Sequence, residues 1–363
     1  MPEVGIIGLP NAGKSTLFNA LTGANAPADV YPFTTVDPNV GVVYVPDPRL
    51  EYLASVFKPP RVAPATFRFV DIAGLVKGAS RGEGLGNEFL AHIRDTEAVV
   101  HVIRCFEDDR VAHVEGKCDP LRDLETVETE LALADVEILD RHLARLEKLV
   151  KSGDKKAAEV AGTLLQLREG LNSGRWAPDS ARAEVRRLNI PLLTTKPVLY
   201  VANVGERDLS NPLANSHVRR LVERANMRGV PWEVISAKLE EEMVELEPAE
   251  KKEFLQSYGL EEPGTNRIIR AAYNLLGLIT FYTTVGAELR AWPVPRGTRA
   301  VQAAGKIHSD FEKGFIKAEV VAFEDLKLAG SQEAVRAKGL LRVEGRDYEV
   351  CDGDIIYFRT RVA

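Results

Sequence analysis

Eight residues near the start, Gly8-Leu9-Pro10-Asn11-Ala12-Gly13-Lys14-Ser15, constrain this chain more than any other feature. They follow the apolar run Val4-Gly5-Ile6-Ile7 and lead into Ser15–Leu21, so the spacing predicts strand, glycine-rich loop and helix in succession. The glycines let successive backbone N–H groups turn inward, and the helix N-terminus adds its dipole, which together make a cradle for phosphate oxygens. Lys14 then offers a point charge to β- and γ-phosphates, and the Ser15 hydroxyl is a ligand for Mg²⁺. A chain with this loop is expected to be α/β, with a mostly parallel sheet flanked by helices.

At the end of a second apolar run, Thr66–Ile72, stands Asp71-Ile72-Ala73-Gly74. Asp71 is placed to hold Mg²⁺ through water, and the Gly74 N–H to approach a γ-phosphate because no side chain intervenes. Between the two motifs, Tyr31-Pro32-Phe33-Thr34-Thr35 offers hydroxyls to the metal. A segment held only while metal and γ-phosphate are present is a switch. The glycine-rich stretch Lys77–Gly86 is expected to be a second. Ala98–Arg104, Pro197–Asn203 and Val230–Ser236 carry further strand signatures, with helical Val218–Arg228 between the last two. The strand ending at Asn203 runs into Asn203-Val204-Gly205-Glu206. Guanine-reading loops place Asn-Lys-x-Asp there. Without the lysine, and with a longer acid, the loop predicts ATP in preference to GTP, a GTPase of the same architecture or a binding module with incidental turnover being the alternatives.

The interval between Arg104 and Pro197 is helical. Ala132, Val136, Leu139, Leu143, Leu146 and Val150 form one apolar stripe, and Ala157, Val160, Leu164, Leu167 and Leu171 a second. A helical hairpin over 129–194 therefore interrupts a nucleotide-binding domain made of 1–128 and 195–277. From 278 to 363 the pattern changes to a small α+β domain, with strands at Leu278–Thr284, Glu288–Val294, Ile316–Phe323, Leu341–Val350 and Ile355–Phe358. Helices are expected there at Thr298–Phe311 and Ser331–Leu340. A net charge of −6 gives no electrostatic reason to coat nucleic acid. Three scattered cysteines lack zinc-ligand spacing and read as reduced thiols. With no basic-then-apolar leader and no apolar run near the ~18 residues of a membrane span, a cytoplasmic monomer is expected.

Together, GLPNAGKST (8–16), YPFTTVDPN (31–39), DIAGLVKGASRGEGLG (71–86), NVGE (203–206) and SAK (236–238) resemble the YchF family, a branch of the Obg-related P-loop NTPases. The resemblance spans essentially the whole chain. It implies a Ras-like domain, a coiled-coil arm and a TGS domain, the last a ubiquitin-like β-grasp module matched by DFEKGFIK (310–317) and Asp352-Gly353-Asp354. It further implies Asn11, Ala12, Gly13, Lys14, Ser15 and Thr16 on phosphate, Ser15 and Thr35 on Mg²⁺, and the Val204 backbone on adenine. Asn203, Glu206, Ser236 and Ala237 would complete the base pocket, and Gly205 departs from the Ser or Asn more usual there. The ribosome is among the family's partners, and TGS modules are associated with RNA. Leu75 stands where Ras-like hydrolases carry a water-orienting glutamine, so slow intrinsic hydrolysis is expected. A K⁺ ion near Asn11, a docking partner, or His113, for which that role has been proposed in the family, are the alternatives for that work.

Overall fold

The computed structural model of the protein describes residues 1–23, 39–72, 85–114, 116–174, 179–285 and 287–361. Tyr31–Thr35, Gly74 and Leu75 lie outside the described residues, as does most of Lys77–Gly86. The first strands are β1 (Glu3–Ile7), β2 (Val40–Tyr44), β3 (Arg61–Ala63), β4 (Thr66–Asp71), β5 (Ala98–Arg104), β6 (Val198–Asn203) and β7 (Trp232–Ile235). The rest are β8 (Leu278–Val285), β9 (Glu288–Pro295), β10 (Phe315–Ala322), β11 (Arg342–Glu344) and β12 (Asp354–Thr360). They form two six-stranded sheets, and the chain divides into two compact units.

The first unit, 2–41 with 68–268, is built on the order β2-β4-β1-β5-β6-β7. The pairs β4–β1, β1–β5, β5–β6 and β6–β7 are parallel, with Ile6 opposite both Asp71 and Val100. Every residue of β5 is buried, as a strand covered on both faces requires. Helices such as Lys14–Gly23, Leu85–Asp95 and Ser216–Arg228 separate the strands. This is the α/β fold that the phosphate loop demands.

The arm begins earlier than its leucine stripe indicates. Its first helix runs Pro120–Lys151, started by Pro120 at the first helical position after the cap Asp119. The root packs into the unit's own core through Leu124, Val127 and Leu131. Beyond it, Ile138 and Leu139 meet Leu164, Leu167 and Leu171 of the returning helix Lys155–Asn172. Asp135 lies fully buried between root and arm, and its carboxylate accepts from the N–H groups of Leu193 and Thr194 and from the Thr194 hydroxyl, at 2.8, 2.8 and 2.7 Å.

The second unit holds 42–67 together with 269–363. Sequence patterning places 42–67 with the nucleotide domain, but β3 adds in parallel to β9, giving the sheet β11-β10-β12-β8-β9-β3. The same stretch carries the helix Pro48–Phe57 and a charged cluster. Arg49 reaches Asp47 at 2.9 Å and Asp352 at 2.8 Å, the Tyr282 hydroxyl donates to Asp47, and Asp352 accepts from the Thr280 N–H at 2.8 Å. Burial of the alanine face of Ala300–Ile307 against Phe281, Val320 and Phe358 supplies the core. The expected helix Thr298–Phe311 breaks at His308, whose backbone is extended (φ −158°, ψ 141°), and resumes as Ser309–Lys313. The expected strand Leu341–Val350 shrinks to β11, because Gly345 accepts from the Tyr348 N–H and turns the chain.

Candidate functional site

The loop between β1 and the helix Lys14–Gly23 follows from its glycines. Gly13 has φ +96°, and a Cβ there would lie 2.2 Å from the Asn203 amide nitrogen. Gly8 brings the backbone so close to β5 that a Cβ would meet the Val102 carbonyl at 2.4 Å. Asn11 also takes a left-handed conformation, φ +63°. Lys14 is almost entirely buried and folds back to donate to the Leu9 carbonyl at 3.0 Å. Burial pushes its amine below the usual lysine range, partly offset by the negative charge of Asp71.

Ser15 and Asp71 meet although 56 residues apart: the Ser15 hydroxyl donates to Asp71 Oδ2 at 2.8 Å. Asp71 Oδ1 is buried and accepts no hydrogen bond from the described residues. A hydroxyl beside a carboxylate with one unsatisfied oxygen, next to a phosphate loop, is a donor set that fits Mg²⁺. Thr35 and Gly74, the other expected members, lie outside the described residues.

Asn203 ties two loops together. Its amide donates to the Ala12 carbonyl at 2.9 Å, and its oxygen accepts from the Ala237 N–H at 2.9 Å. Val204 is buried in the core, with its N–H held by the Ile235 carbonyl at 2.8 Å. Glu206 is half-exposed and lies 3.4 Å from the Lys238 ammonium. Ser236 is buried at the end of β7, before the helix Ala237–Glu242. The expected base-loop residues therefore converge beside the phosphate loop. Gly205 has φ −72°, and a Cβ there would have its nearest neighbours at 3.9 and 4.0 Å, so nothing in the backbone demands glycine.

His113 is drawn to the same place. The Asn11 side chain donates to the Ala112 carbonyl at 3.0 Å, which fixes the neighbouring backbone to the phosphate loop. His113 Nε2 lies 2.8 Å from Asp123 Oδ2, and only 6% of either side chain is exposed. A cavity of about 10 Å³ beside them is bordered by Leu9, Pro10, Ala12 and His101. Two residues that matter here carry no motif. Arg104, at the end of β5, gathers the loop before His113 by donating to the carbonyls of Phe106, Asp108 and Val111 at 3.1, 3.3 and 3.0 Å. Asp123 is an ordinary helix residue in the sequence; only its proximity to the cap Asp119 marks it as first-turn. His101, fully buried under the loop, has its imidazole lowered to about 3 by burial and then by the charge of Lys14. No cluster of three or more His, Cys, Asp or Glu poised for a metal occurs among the described residues.

Known proteins agree with this architecture. A family described as 50S ribosome-binding GTPase matches residues 3–139. The C-terminal domain family of YchF GTPases, itself described as of unknown function, matches 278–361. The "Ribosome-binding ATPase YchF" of Bacillus subtilis is 47% identical over 361 residues, covering 99% of both chains. The protein of that name from Escherichia coli O157:H7 is 49% identical over 359 residues, covering 98% of both. The solved YchF GTPase of Schizosaccharomyces pombe superposes with a TM-score of 0.87 at 34% identity, over 99% of this chain and 97% of that one. With a phosphate loop, its partner carboxylate and relatives matched from end to end, this chain belongs to the YchF family of P-loop nucleoside-triphosphate hydrolases.

Proposed function

We propose that the chain is a Mg²⁺-dependent ATPase that disfavours GTP and whose nucleotide state governs docking on the ribosome. The observation that carries the ATP assignment is the base loop. Asn203 spends both ends of its amide on Ala12 and Ala237, and Glu206 stands beside Lys238, which leaves no lysine stem and no short carboxylate for guanine. Losing a charge-assisted bidentate contact removes about 1.5–3 kcal/mol per bond from guanine binding. Backbone groups around Val204 then read adenine N1 and N6. The relatives' names divide between ATPase and GTPase, so competitive titration of ATP and GTP onto nucleotide-free protein is the deciding measurement. GTP binding more than about tenfold tighter than ATP, or ~1.4 kcal/mol, overturns the proposal.

In this reading the phosphate-loop N–H groups of Asn11–Thr16 and the Lys14 ammonium hold the triphosphate. Ser15, Thr35 and, through water, Asp71 would hold Mg²⁺, which would supply charge stabilisation to the phosphates. Gly74 donates its N–H to the γ-phosphate. With Leu75 unable to bond to water, His113 orients the water that attacks the γ-phosphorus, ADP leaves, and the water's proton passes to solvent or to phosphate. A K⁺ ion beside Asn11 is the competing aid, read by comparing turnover in KCl and NaCl. Docking falls to the arm and to the second unit, where Arg359 stacks on the half-exposed Tyr357 ring at 4.2 Å, an aromatic–cation pair suited to RNA bases. Cosedimentation with ribosomes in the ATP- and ADP-bound states tests that part; equal binding in both would refute the switch.

A further inference from the structure

We infer that Glu240 is a positioning residue for the nucleotide base, acting through the helix Ala237–Glu242 that carries it. This rests on the reading above that Asn203, Val204 and Glu206, with Ser236 and Ala237, form the base pocket. A helix of six residues has little stability of its own, so the place it takes is set by what it grips. At its start the Ala237 N–H is bonded to the Asn203 side chain at 2.9 Å. Near its end Glu241 accepts from the Asn19 amide, on the helix Lys14–Gly23, at 3.0 Å. Between these two stands Glu240.

The Glu240 carboxylate is buried, and it accepts from the N–H groups of Gly264 and Thr265 at 2.7 and 3.1 Å and from the Thr265 hydroxyl at 3.0 Å. Those N–H groups open the helix Gly264–Leu275, where backbone donors lack partners within the helix and the dipole favours an anion. The approach is too close for a side chain at residue 264: a Cβ there would lie 2.8 Å from Glu240 Oε1 and 2.5 Å from the Ile235 side chain. Ile235 ends β7 and runs directly into Ser236, so the clasp lies at the root of the base pocket. Arg267, one turn further along, holds the same helix to β7 by donating to Glu233 at 3.0 Å and to the Val234 carbonyl at 2.8 Å. The helix therefore stays docked without Glu240. What the carboxylate adds is the position of Ala237–Glu242, and with it the place of Ala237 beside the base.

The test compares full-length wild type with Glu240→Gln, Thr265→Val and Arg267→Gln. Two ligands are titrated in the presence of Mg²⁺: ATP, and inorganic tripolyphosphate, which presents the phosphates without a base. Thermal unfolding and steady-state hydrolysis are measured alongside. Glu240→Gln sets an amide N–H against two backbone donors and displaces the short helix. It is expected to weaken ATP about tenfold or more, the scale of loss that an ~1 Å misplacement causes. Tripolyphosphate binding stays within about twofold of wild type, and KM rises while kcat stays within about twofold. Thr265→Val, which removes one of the three donors, gives a smaller loss of the same selectivity and decides the matter if Glu240→Gln does not fold. Arg267→Gln lowers the melting temperature without the selective loss, because β7 is also paired along β6. Equal weakening of both ligands in Glu240→Gln, or unchanged ATP affinity, overturns the inference. So does the same selective loss in Arg267→Gln, since the effect would then be one of general stability. If wild type binds ATP no more tightly than tripolyphosphate, the base-pocket reading itself fails, and the inference with it.

Discussion

The Asn203 amide donates to the Ala12 carbonyl at 2.9 Å across 191 positions of sequence, and its oxygen holds the Ala237 N–H. One side chain therefore sets the distance between the phosphate loop and the base loop. Replacing Asn203 with alanine strands two buried backbone groups, at about 1–3 kcal/mol each. ATP and GTP affinity should fall together, by tenfold or more, in a binding titration. A selective loss of one nucleotide would mean that Asn203 reads the base rather than joins the loops.

Lys14→Ala should abolish nucleotide binding or turnover yet leave the melting temperature within a few degrees of wild type. The amine is buried and its charge already disfavoured, so its removal relieves a desolvation penalty while losing the bond to Leu9. Full hydrolytic activity in this variant would contradict the phosphate-loop assignment.

Restoring a guanine-type loop is harder than the sequence implies. Val204 is 2% exposed and packs with Ile103, Leu221 and Val234. Val204→Lys drives an ammonium into that cluster and should destabilise the fold by about 2 kcal/mol or more. Glu206→Asp alone, at a half-exposed position, should be tolerated and raise relative GTP affinity. Thermal unfolding of both variants beside competitive nucleotide binding checks the pair.

His101 makes the first unit acid-sensitive. Its folded value of about 3 lies below the ordinary histidine value of 6.5, so the unfolded chain takes up the proton first. The stabilisation from keeping His101 neutral is complete above pH 6.5 and is lost as pH falls toward 3, with an upper bound of about 5 kcal/mol. His101→Phe, which can keep the edge-to-face packing on Tyr200, removes that dependence. The stability difference between wild type and variant should be flat above about pH 7 and shift in favour of the variant toward pH 4. A constant difference across this range would exclude His101 as the source.

Truncation after residue 277 should not leave a well-behaved remainder. Arg49 would lose Asp352, Asp47 would lose Tyr282, and β3 would lose β9. Lower solubility and an earlier melt than the full chain are expected, so ribosome docking is better probed with Tyr357→Ala and Arg359→Ala, which lie on the surface. Unimpaired cosedimentation of both would remove that face from the docking surface.

The strand, loop and helix around Gly8–Ser15 were legible because their pattern is local. Eight contiguous residues specify the loop, and Asp71 closes a continuous strand. What stayed hidden depends on register between distant segments. β3 has only three residues, two of them exposed, and its partner β9 lies more than two hundred positions away, so no periodicity betrays the pairing. Arg104 looked like the end of a buried strand, and its grip on three carbonyls requires knowing how the loop folds back. Asp123 sat before the leucine stripe that marked the arm, where the helix start is signalled only by the cap Asp119 and by Pro120.

That early start has a mechanical consequence. The helix Pro120–Lys151 carries Asp123 near one end, Asp135 clamped by three hydrogen bonds along its length, and the arm's tip at the other end. At ~1.5 Å per residue, Asp135 is a fulcrum about 18 Å from Asp123 and about 24 Å from the tip. As a hypothesis, if the helix swings as a stiff rod, a 2 Å push at the tip becomes roughly 1.5 Å at Asp123, about three times the ~0.5 Å spread of ordinary hydrogen-bond distances. Whatever grips the arm would then have its hand on the imidazole. Two glycines at Glu137 and Ile138 would soften the rod outside its fulcrum. If ribosomes raise the turnover of the wild-type chain, an equal rise in that variant would show that force does not travel along this helix.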